Sequence, residues 1–75
     1  MAITGKQNPQ RVGNNGQAGR VEVRNVGDSI GWLLADRDAT PKSGLPVRVG
    51  ESLIVPFKQF VSVVGINAKF NVEII

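Results

Sequence analysis

The sequence predicts an all-β fold: a small six-stranded antiparallel sandwich or barrel with an extended N-terminal arm. Three observations predict it. From Arg20 onward, ten Val and five Ile fall in short runs cut by Gly and Pro, a composition that suits strands. Within those runs apolar and polar residues alternate with a period of two. No stretch sustains a 3.6-residue period between capping residues, so no helix is expected.

The elements follow in order. Residues 20–24 form the first strand, with Val21 and Val23 facing one side and Glu22 and Arg24 the other. Asn25, Val26, Gly27 and Asp28 make a turn. Residues 29–35 form a second strand, with Ile30, Trp32 and Leu34 on one face and Gly31, Leu33 and Ala35 on the other. Both faces are apolar, so both are expected to be covered, with Trp32 in the core. Residues 36–44 are polar, contain Pro41 and Gly44, and should be a loop. Residues 45–49 alternate around Pro46, which lacks an N–H and so belongs at a strand start or edge. Gly50 and Glu51 are expected to close a hairpin with residues 52–57, whose Leu53, Val55 and Phe57 face inward. Residues 59–64 give a fifth strand and 65–67 a turn. The last strand is the clearest, because Ala68, Phe70, Val72 and Ile74 oppose Lys69, Asn71 and Glu73.

Residues 1–19 differ in character. They hold four Gly, three Gln, three Asn and Pro9, with Met1, Ile3 and Val12 as their only large apolar side chains. So little apolar surface cannot offset the entropy of ordering the segment alone. It is expected to be a flexible arm (1–19) beside a small β domain (20–75), ordering only by laying its backbone along a partner's strand edge. Removing residues 2–18 should then leave the fold intact.

A chain of 75 residues makes one domain. Surface scaling leaves roughly 4,400 Å² exposed out of about 11,600 Å² in the open chain, which is marginal for a domain that stands alone. Val26, Ile54, Ile66 and Ile75 fall at positions not obviously buried, so association with its own copies or with a larger surface is expected.

Several chemistries find no support. The chain has no Cys and no His, which removes disulfides, thiol nucleophiles, imidazole bases and the commonest zinc ligands. Asp28, Asp36 and Asp38 lack the spacing of a calcium loop, and no glycine pattern matches a phosphate-cradling or dinucleotide motif. The expectation is a protein that is not an enzyme, with no catalytic residue, no cofactor and no metal. No run approaches the length of a membrane span, and the N-terminus lacks the apolar core of a signal peptide. The net charge of +3 raises the pI to about 10.0 chiefly because nothing titrates near neutrality. The basic residues are dispersed, and Phe57 and Phe70 fall at inward positions rather than along a basic groove. A small β-barrel nucleic-acid binder is therefore the alternative reading, not the first.

The order of motifs carries a resemblance. Asn25-Val26-Gly27 is followed by Gly31-Trp32-Leu33, a polar loop through Ala39-Thr40, and Gly44-Leu45-Pro46-Val47. Gly50-Glu51-Ser52-Leu53, Val61-Ser62-Val63-Val64 and Phe70-Asn71-Val72-Glu73 complete it. Over residues 20–75 this resembles small β-structured virion proteins of tailed bacteriophages, of the capsid decoration or cement type. The resemblance implies a virion structural protein on the capsid surface, with the major capsid protein or another virion protein as partner and a homo-oligomer, such as a trimer, on the particle. It also makes Lys6, Arg11 and Arg20 candidates to pair with acidic shell residues, beside an arm reaching neighbouring capsomers.

Overall fold

A computed structural model describes all 75 residues. It is all-β, with eight strands and no helix: β1 (Ala2–Thr4), β2 (Gln10–Gly13), β3 (Gly19–Asn25), β4 (Gly31–Ala35), β5 (Leu45–Val47), β6 (Ser52–Phe57), β7 (Phe60–Val64) and β8 (Lys69–Ile74). They form two antiparallel four-stranded sheets, ordered β1-β8-β3-β6 and β2-β7-β4-β5. Apart from β4 and β5, consecutive strands alternate between the sheets, and the resulting order is that of an eight-stranded jelly roll. The six-stranded expectation is thus corrected to eight, and no barrel closes.

The core lies between the sheets. Val21, Val23, Phe57, Phe70 and Val72 enter it from one sheet, and Val12, Leu33, Val47, Val61 and Val63 from the other. Val23 registers between Leu53 and Val72, and Leu33 opposite Val63, so the period of two carries each inward set from strand to strand.

The N-terminal segment is not an arm. β1 pairs with β8, Ile3 opposite Phe70, and β2 pairs with β7, Val12 opposite Val61. Each strand is an edge, and each needs one inward apolar residue because its neighbour supplies the rest of the packing. Asn15 and Gly16 adopt φ of 53° and 77°, and the Gln17 N–H donates to the Asn14 carbonyl at 2.9 Å. Positive φ at both central residues makes a type I′ turn, which delivers the chain from β2 into β3.

Two further expectations change. β5 and β6 lie in different sheets, so Gly50 does not close a hairpin; its φ of 81° lets residues 48–51 carry the chain across the sandwich. In β4 the core face is Gly31 and Leu33, which places Trp32 on the outer face, half-buried. The part of that outer face around Ser62 is covered by the β4–β5 loop (36–44). Ser62, buried on β7, accepts the Ala39 N–H at 2.6 Å and donates to the Arg37 carbonyl. The hydroxyl holds the loop down as a strap, and Ala39 is buried beneath it.

Asn25 joins the sheets at one end. Its buried amide donates to the carbonyls of Ser29 (2.7 Å) and Val47 (2.9 Å) and accepts the Gly27 N–H at 3.0 Å. The side chain therefore shapes the β3–β4 turn and ties it to β5 in the other sheet.

Candidate functional site

A surface groove of about 470 Å³ opens on the outer face around Trp32. Lys6 and Gln7 of the β1–β2 loop, Ser29 and Ile30 before β4, Pro41 of the strap, and Val64, Gly65 and Ile66 at the β7–β8 turn complete the lining. The sequence positions these parts through main-chain bonds. The Gly5 N–H donates to Ala68 O at 2.8 Å, and the Gly65 N–H to Lys6 O at 3.0 Å. A Cβ at Gly5 would overlap the Gly65 and Ala68 carbonyls, so only glycine lets the chain pass this close before turning Lys6 outward. Gly65 has φ of 149° and Asn67 of 65°, conformations that project Ile66 away from the core at 61% exposure. Trp32 and Val64 are cross-strand partners, and their side chains belong to the same outer face.

Of the three proposed partner-pairing cations, only Lys6 lines this groove, and it makes no ion pair. Arg11 is engaged within the chain. Its guanidinium holds Asp38 of the strap through bonds of 2.9 and 3.2 Å and lies 4.3 Å from the Phe60 ring centre, a cation–π geometry. The Asp38 hydrogen bond and charge raise the Arg11 pKa, and the Arg11 hydrogen bond, then its charge, holds the Asp38 carboxyl below the usual carboxylate range. Arg11 is thus a second latch on the strap. Arg20 stands exposed on the outer face of the other sheet, where Glu22 and Glu73 sit directly opposite each other. The structure does not bring these three cations together.

Asp36 belongs to no metal cluster; no group of three or more potential acidic ligands exists in the fold. With φ of 61°, its carboxylate accepts the N–H groups of Gln59 (2.7 Å), Lys58 (3.0 Å) and Phe60 (3.3 Å) and so caps the β6–β7 turn.

Large apolar side chains are exposed along the flank where β5 and β6 form the sheet edges. Leu45 is 48%, Val49 54% and Ile54 57% exposed. Arg20 accepts its main-chain bond from Ile75, on the β8 side, so its cross-strand partner Pro56 turns its missing N–H to the free edge. Pro56 on β6 and Pro46 on β5 blunt this flank against strand addition and leave side chains as its means of contact.

No protein-family model, no curated protein and no solved structure matches the chain.

Proposed function

We propose that the chain is a tailed-phage virion structural protein, a capsid decoration or cement protein bound to the outer shell. The observation that carries this reading is the jelly-roll strand order completed within 75 residues. Jelly rolls serve as viral capsid modules as well as lectin and cupin domains, so the support from fold is an analogy. In this reading the exposed Leu45, Val49 and Ile54 are the apolar side chains with which that flank attaches to a larger surface.

In this reading the N-terminal segment works as part of the β domain. Attachment runs through side chains of the β5/β6 flank, with the major capsid protein or another virion protein as partner and further copies as neighbours on the shell. Weak contacts repeated over a symmetric lattice give avid binding.

Particles produced with and without the gene test the reading. The expected result is a band in purified particles whose peptides map to this chain, with matching density on the shell that vanishes when the gene is deleted. Absence of the chain from particles, together with DNA retention that falls steeply between low and moderate salt, would replace the reading with a nucleic-acid binder.

A further inference from the structure

We propose that the Trp32 groove is a docking site for an extended protein segment that presents a large apolar side chain next to a carboxylate. The proposal is independent of the virion reading, because it concerns what the groove can hold and not where the protein resides. The groove lies on the outer surface, walled by separate connections, rather than between the sheets, so a side chain carried on another chain can reach it. Its floor and walls are Trp32, Val64, Ile30, Ile66 and Pro41. Its volume of about 470 Å³ falls in the range of sites that bury a ligand of a few hundred cubic ångströms. An apolar side chain therefore supplies the contact area.

Charge selects the neighbour. Lys6 is the only ionisable residue lining the groove, and it is exposed and unpaired. Lys42 follows Pro41 and Asp28 precedes Ser29 in the chain, so the charges flanking the lining cancel and Lys6 sets the sign of the groove. A carboxylate adjacent to the inserted apolar group completes an ion pair at the rim; an ammonium there meets repulsion.

The fold contains its own reporter. Trp32 is the only Trp and the chain has no Tyr, so tryptophan fluorescence of the protein is a reading of this groove. The test titrates the full chain with blocked hexapeptides carrying a central Phe-Glu or Phe-Lys pair. Phe-Glu should shift Trp32 emission to shorter wavelength and saturate near about 1 mM or below. Phe-Lys should bind more weakly by about fivefold. Lys6→Glu, at an exposed position that leaves the core untouched, should reverse the preference, with the circular dichroism spectrum confirming an unchanged fold. Equal response to both peptides, or none from either, overturns the proposal. So does a Trp32 shift with sodium decanoate but with neither peptide, which would make the groove a site for free amphiphiles.

Discussion

The ring of Phe70 on β8 lies against Gly31 on β4, so that one sheet's largest fully buried side chain fills the space left by a missing side chain in the other. A Cβ at Gly31 would stand 2.7 Å from Phe70 Cε1 and closer still to Cζ, and Phe70 is fully buried. Gly31→Ala should cost about 1–3 kcal/mol through overpacking, and Phe70→Ala about 3–5 kcal/mol through the cavity it leaves. Adding Gly31→Ala to a Phe70→Leu chain should cost less than adding it to the natural chain, because the two positions share one volume. Urea midpoints of the single and double variants check this.

Asn25 should be equally intolerant, for a polar reason. Asn25→Ala leaves the Ser29 and Val47 carbonyls and the Gly27 N–H without their side-chain partner, at about 2–3 kcal/mol. Asn25→Asp keeps the acceptor and loses both donors at neutral pH, so it should not rescue. Equilibrium unfolding of the two variants is the measurement.

Removing residues 2–18 should unfold the protein. The deletion takes away β1 and β2, with Ile3 and Val12, and uncovers the edges of β8 and β7. Amide chemical-shift dispersion in NMR should collapse. A well-dispersed spectrum from the truncated chain would restore the sequence-based expectation of a dispensable arm.

The pairing of this segment into the sheets was hidden from the sequence for a physical reason. An edge strand with one inward side chain carries almost no periodic signal, and Ile3 and Val12 are isolated among Gly, Asn and Gln. The usable clue was Asn15-Gly16, a pair suited to a type I′ turn and hence to a strand on either side. Strands β3, β6, β7 and β8 were legible because Val21 and Val23, Leu53 to Phe57, Val61 and Val63, and Phe70 and Val72 alternate against polar or outward residues. Exposure of Val26, Ile54, Ile66 and Ile75 was legible too. The side of β4 was not. Both its faces are apolar, since the strap covers part of the outer one, and alternation cannot then say which face holds Trp32. The lone Ser62 within a run of Val marked that covered face in retrospect. Of the groove, Lys6 was singled out on charge alone; Ile30, Pro41 and Ile66 come together only through topology.

Acid should weaken the fold through Asp36 and Asp38. Main-chain hydrogen bonds from Gln59 and then Lys58 hold the Asp36 carboxyl below its usual range, and Arg11 does the same for Asp38. A pKa depressed in the folded state contributes stability that is present above the unfolded value and lost as pH falls through the folded one. Urea midpoints should therefore drop between neutral pH and about pH 3. Asp36→Asn should lower the midpoint at neutral pH and flatten its decline in acid. An unchanged acid dependence in that variant would remove Asp36 from this role.

The central claim is that this protein works by adhering to a larger assembly. It is tested most directly by sedimenting the purified chain with shells of the proposed partner, a tailed-phage major capsid protein, alongside a chain carrying Ile54→Asp and Val49→Asp. The account predicts that the natural chain pellets with the shells, saturates at a fixed number per capsomer and resists moderate salt, while the variant stays in the supernatant. A folded natural chain that remains in the supernatant at every shell concentration would contradict it.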